Sequence, residues 1–120
     1  MIGHWRTLAA LLAFAVLAVP SGAAAQQDEG FSERAQRLAS CAGAVAAYSG
    51  FNVLEYPAGA EGDFAPLLGA ILEQLNRERG LEGMTGRDAA NAARSYWAGR
   101  PRAAQEARID DCRTRFGGAQ

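Results

Sequence analysis

Two cysteines, Cys41 and Cys112, constrain this chain most, because they lie far apart in a sequence whose beginning reads as an export signal. A bridge between them closes a loop of about 70 residues, and the chain-entropy treatment of the unfolded state values that closure at about 4 kcal/mol. Many small domains have a net stability of similar size. The bond needs an oxidising compartment, and the two cysteines leave no thiol over.

Residues 1–25 follow the three-part plan of a secretory signal peptide. A basic start at His4 and Arg6 precedes an apolar run from Leu8 to Val19, and Pro20, Ser21 and Gly22 lead into Ala23, Ala24 and Ala25. Small side chains before the cut place cleavage after Ala25, so the mature chain is expected to begin at Gln26. The apolar run is short of the roughly 20 residues that span a bilayer as a helix, so no stable membrane insertion is expected after cleavage. Leu38-Ala39-Ser40-Cys41 matches the lipobox of bacterial lipoproteins. However, Asp28, Glu29, Glu33, Arg34 and Arg37 separate it from the apolar run and would have to enter the membrane, at a cost of several kcal/mol. Cys41 is therefore read as half of a disulfide.

Every basic side chain in this chain is arginine, and its one histidine, His4, lies in the leader. Without imidazole the mature chain has no ordinary Ser-His or Cys-His pair and no histidine metal site. Carboxylate chemistry remains open in principle, but it needs two carboxyls facing one another across a cleft. After Arg6 is removed, eleven arginines stand against thirteen acids, interleaved as in Arg108-Ile109-Asp110-Asp111-Cys112-Arg113. Nucleic-acid binders carry a basic excess along one face, so no nucleic-acid partner is expected. The arginine and alanine bias resembles the coding style of GC-rich bacteria, which points to the periplasm or to secretion as the compartment.

Along the mature chain, Gln26–Gly30 reads as a frayed start. Phe31, Ala35, Leu38, Ala42, Val45 and Ser49 then recur at spacings of three and four, and Gly50 ends this first helix. Asp28 and Glu29 suit its N-terminus. Residues 51–65 show no sustained period and hold Pro57, Gly59 and Gly62, which marks a long loop of the kind that often carries function. Its Phe51, Val53, Leu54 and Tyr56 either cap the core or line a groove. A second helix is expected to start near Asp63 and Pro66, carry Leu68, Ile71, Leu72 and Leu75 inward, and end at Gly80. Thr85 and Asp88 resemble a capping box for a third helix from Gly86 to Ala98, with Ala89, Ala92, Ala93, Tyr96 and Trp97 as its inner face. Gly99-Arg100-Pro101 either separates two helices or kinks a single long one, with a break favoured; the last segment carries Ile109, Cys112 and Phe116 and is stopped by Gly117 and Gly118.

These patterns commit the chain to an all-α fold: a signal peptide, then one domain over 26–120 with its core at about 31–116. That domain is a small bundle of three or four helices stapled by Cys41–Cys112. The wide cysteine spacing argues for a structural bridge over a redox pair, which usually has two residues between its cysteines. Asp110-Asp111 and Glu78 with Glu82 supply too few oxygens for a hard cation, so no metal and no cofactor are expected. The functional expectation is a non-enzymatic envelope protein that binds another periplasmic protein, as an inhibitor, immunity factor, chaperone or assembly subunit. The alternative is a binder of a small apolar ligand between helices. Phe51, Tyr56, Leu68, Leu72, Tyr96 and Trp97 are the candidate contacts, with Tyr96 and Trp97 also reading as ordinary packing residues.

Overall fold

Ser32 opens the first helix because its Oγ accepts a hydrogen bond from the Ala35 N–H at 2.9 Å, satisfying one of the donors that a helix start leaves free. The same hydroxyl donates to Glu78 at 3.0 Å. The computed structural model describes residues 30–117, so the leader over 1–25, the acids Asp28 and Glu29, and Gly118 lie outside the described residues. The elements among the described residues belong to the unit that starts at Ser32. They are α1 (Glu33–Ser49), α2 (Phe64–Asn76), α3 (Met84–Ala98), α4 (Arg102–Cys112) and a π-helical turn, Arg113–Gly117. Among the described residues there is no strand, and no helix is long and apolar enough to cross a membrane.

The hub is α1. Of its predicted stripe, Ala35, Leu38, Ala42 and Val45 are buried, whereas Ser49 is half-buried and the half-buried Phe31 precedes the helix; every residue from Cys41 to Ala46 is buried as well. A helix buried all round needs neighbours on several sides, and α1 packs against each of α2, α3 and α4. Small side chains permit this. A Cβ added at Gly43 would lie 2.5 Å from the backbone and Cβ of Ala93, so the α3 main chain rests directly on α1 there. Gly50 then stops α1 in the left-handed region at φ 77°, with its N–H on the Ala46 carbonyl.

Helix α2 contributes Leu67, Leu68, Ile71, Leu72 and Leu75 to the core. Asp63 stands at its N-terminus without a side-chain cap, and Pro66 sits in the first turn, where its missing N–H costs nothing. The helix ends at Asn76 rather than at Gly80. Residues 77–83 turn the chain instead, burying Leu81 completely, and left-handed Gly80 and Gly83 make that turn possible.

The third helix also departs from expectation. It starts at Met84, two residues early, and Gly83 rather than Thr85 precedes it, so the proposed Thr85–Asp88 capping box does not form. The Gly83 N–H is instead taken by Asn76 Oδ1. The early start brings Gly86 against the Leu81 carbonyl, an approach that any Cβ would block. The buried positions of α3 are Gly86, Ala90 and Trp97, whereas Ala92 and Tyr96 face solvent. Contact of Ala93 and Arg94 with Gly43 sets the rotation of the helix and turns the Ala92–Tyr96 row outward.

Between α3 and α4 the chain breaks at Gly99–Pro101, as the Gly-Arg-Pro reading expects, and four helices result. Gln105 seals the break: its buried amide donates to the Trp97 carbonyl at 2.7 Å and to that of Arg100 at 3.4 Å. Cys112, the last residue of α4, is bonded to Cys41 in the middle of α1, with their Cα atoms 5.7 Å apart. The disulfide fits an oxidising compartment. Phe116, expected on the same helix as Ile109, is carried instead by the π-helical turn, whose Gly117 is buried against Leu67. Gln74 holds this turn by donating to the Phe116 carbonyl at 3.0 Å, while its Oε1 accepts from Arg34 at 2.7 Å.

Replacing Gly43 with alanine forces α1 and α3 apart or deforms both, since the contact is backbone and cannot rotate away. Urea unfolding of Gly43→Ala is expected to show a loss of about 3 kcal/mol, the upper end of ordinary overpacking costs.

Candidate functional site

Residues 51–63 leave α1 as a largely exposed segment pinned to the domain at a few points. Phe51 and Val53 are buried, so for these two the core-capping reading holds and the groove reading fails. Leu54 is exposed, and its N–H is turned onto Asn52 Oδ1 at 2.9 Å. Two arginines of α3 hold the segment from the side. Arg94 Nε donates to the Phe51 carbonyl at 2.9 Å, and Arg87 Nη1 donates to the carbonyls of Val53 at 3.0 Å and Tyr56 at 2.6 Å. Their spacing of seven places both on one side of α3. The segment has no regular ladder of its own, so these charge-assisted bonds satisfy part-buried carbonyls that its turn hydrogen bonds leave unpaired.

Tyr56 closes the next step. Its hydroxyl donates to the Ala65 carbonyl at 2.9 Å and lies against Gly69, where a Cβ would collide with it. Between this ring, α2 and the first turn of α3 lies a cleft of about 330 Å³. Leu72, Leu75 and Leu81 form its floor, and Glu73, Asn76, Gly83 and Arg87 stand around it. The floor is already shut off from water, with Leu72, Leu75 and Leu81 at 8, 1 and 0 % exposure.

The six candidate contact residues therefore separate. Tyr56 and Leu72 line the cleft, whereas Phe51 and Leu68 belong to the core. Trp97 is buried elsewhere, donating from Nε1 to Ser40 Oγ at 3.2 Å with the Arg108 guanidinium 5.7 Å from its ring. Tyr96 is 59 % exposed, edge-on to Trp97 and 5.8 Å from the Arg100 guanidinium. The apolar lining expected from Leu68, Leu72, Tyr96 and Trp97 together is thus not assembled at this cleft. Helix rotation is the reason, because the Gly43 contact carries Trp97 inward and Tyr96 outward.

A second, shallower cleft of about 250 Å³ is lined by Tyr48, Phe64, Glu106, Ile109, Asp110 and Arg113. Tyr48 donates to Glu106 at 2.9 Å, and the Arg102 guanidinium lies 3.8 Å above its ring. Arg113 lies over Phe64 in the same way at 5.2 Å. Both acids of this cleft are exposed. Among the described residues, no group of three or more His, Cys, Asp or Glu is arranged to hold a metal ion.

Sequence reasoning missed Arg87, Arg94 and Gln105. The one available signal was the pair of arginines seven apart inside an alanine-rich helix, with no acid placed three or four residues away from Arg94 on that helix. No protein-family model, curated protein or solved structure matches this chain.

The loop anchor is open to measurement. Arg94→Ala leaves the Phe51 carbonyl without its donor, and a loss of about 1–3 kcal/mol is expected in urea unfolding. Hydrogen exchange in residues 51–56 should accelerate more than in α2; equal acceleration across the chain would show that Arg94 does not anchor the segment.

Proposed function

We propose that this is a non-enzymatic protein exported to the bacterial periplasm, and that it works by docking another envelope protein on the outer row of α3. One observation carries the reading: Met84, Asp88, Ala92 and Tyr96, spaced by four residues, are exposed at every position, with Met84 at 55 % and Tyr96 at 59 %. Residues four apart form a continuous ridge on a helix, which is the surface that enters the groove of a second helix. Methionine and tyrosine are enriched at protein interfaces, where a flexible apolar chain and a rigid amphipathic ring gain contact area at modest entropic cost. Arg100 beside the Tyr96 ring adds a charged group at the edge of the row, as interface rims commonly carry.

The rest of the molecule supports a binding role over a catalytic one. The carboxylates of the second cleft are exposed, and no Ser-His or Cys-His pair and no lysine nucleophile can form from the residue types after the leader. Export is supported by the disulfide and by the leader pattern in residues 1–25.

A photo-crosslinking amino acid placed at position 96, compared with one at exposed Glu61 in the loop, tests the docking row inside the exporting cell. A discrete adduct to one envelope protein from position 96, absent from position 61, is expected. No adduct from position 96, or the same adducts from both positions, would refute the proposal.

A further inference from the structure

The geometry points to a second site on this protein: we propose that the cleft between α2 and the first turn of α3 binds a carboxylate group, with Arg87 as its principal contact. Arg87 lines the cleft and is half-buried. Its Nη1 is occupied by the Val53 and Tyr56 carbonyls, which leaves the Nε–H and the Nη2 group, the pair that grips a carboxylate with two parallel hydrogen bonds. Among the described residues no acid pairs with it, in contrast to Arg34, Arg37, Arg77, Arg108 and Arg115. A partly desolvated guanidinium beside an open cleft gains more from an incoming anion than one already paired on the surface.

The surroundings fit a compact polar group better than an apolar one. An apolar ligand gains by covering exposed apolar area, and the leucine floor offers almost none. Two glycines, Gly83 and Gly86, line the cleft where α3 begins, and the Gly83 N–H is already held by Asn76 Oδ1. A Cβ at Gly83 would meet nothing within 4 Å, so the main chain there is approachable. Glu73 opposes an anion from the rim, an effect that the exposed Arg77 at 3.5 Å only partly offsets. The volume, about 330 Å³, falls at the lower end of the roughly 300–1,000 Å³ typical of small-molecule sites. The carboxylate can belong to a small organic acid or to the C-terminus of a peptide. This site is independent of the α3 docking row, so failure of crosslinking at Tyr96 leaves it standing.

The test is amide-detected NMR titration of the oxidised protein with propionate and with N-acetyl-glycyl-alanine, each beside its neutral amide. At least one acid is expected to bind about tenfold or more tightly than its amide. It should shift the Gly83 and Gly86 amides and the Arg87 Nε–H, and the acid that does so identifies the source of the group. Arg87→Gln should abolish the preference, and because its shorter side chain does not reach the Val53 and Tyr56 carbonyls, exchange in residues 53–56 is expected to accelerate with it. Glu73→Gln, on the exposed rim, should tighten acid binding by about twofold through removal of a like charge. Equal binding of acids and amides, shifts away from the cleft, or a preference that survives Arg87→Gln would overturn the assignment. If Arg87→Gln fails to fold, an acid affinity unchanged in Glu73→Gln overturns it as well.

Discussion

The fold depends on a helix that can be surrounded. From Cys41 to Ala46, α1 has a cysteine, three alanines, one glycine and one valine, and all are buried. A run this poor in bulky side chains would be a weak core element on its own, since each alanine or glycine removes little apolar area from water. What it offers is closeness. With no Cβ at Gly43 the main chain of α3 can lie on α1, while the larger side chains of α2, with Ile109 and Phe116, fill the space on the other sides. The disulfide then ties this hub to the end of α4, across 71 positions of sequence. Closing so large a loop limits the unfolded chain most where the domain is smallest and its core least generous.

Arginine does several kinds of work in this structure, and the absence of lysine makes each visible. Arg87 and Arg94 donate to the Phe51, Val53 and Tyr56 carbonyls, which take no part in the turn hydrogen bonds of residues 51–63. Arg34, Arg100, Arg102, Arg108 and Arg113 lie against aromatic rings, where a flat, weakly hydrated cation covers apolar surface that lysine would leave wetter. Arg37, Arg77 and Arg115 pair with acids one helical turn away and are mostly exposed, so they add little stability. The segment after α1 is therefore a held strap, and its turn at Tyr56 forms one wall of the larger cleft.

The all-helical class, the buried leucines of α2, most of the α1 stripe and the cysteine pairing were legible, because each rests on local chemistry or on a single choice of partner, whereas Gly99–Pro101 left three helices or four open. What could not be read depends on tertiary contact. Thr85 and Asp88 carry a capping pattern, yet the close approach of Gly86 to Leu81 starts α3 earlier and leaves Thr85 inside it. Ala92 and Tyr96 look like an inner face on an alanine-rich helix, and only the Gly43 contact decides which alanines turn inward. The π-helical turn that carries Phe116 likewise follows from Gln74 and Leu67, both distant in sequence. The candidate site was half legible: Tyr56 and Leu72 were singled out, whereas Arg87 shows in the sequence only as one of two arginines seven apart, and its role depends on the loop it holds.

Native-state hydrogen exchange of the oxidised protein measures the central claim most directly, because it ranks helices by the free energy needed to open them. If α1 is the hub, the amides of Ala42–Ala46 exchange only when the whole domain unfolds, with the slowest rates in the chain and a denaturant dependence equal to that of global unfolding. Faster exchange there than in α2 or α3, through an opening that leaves those helices protected, would contradict a fold organised around α1.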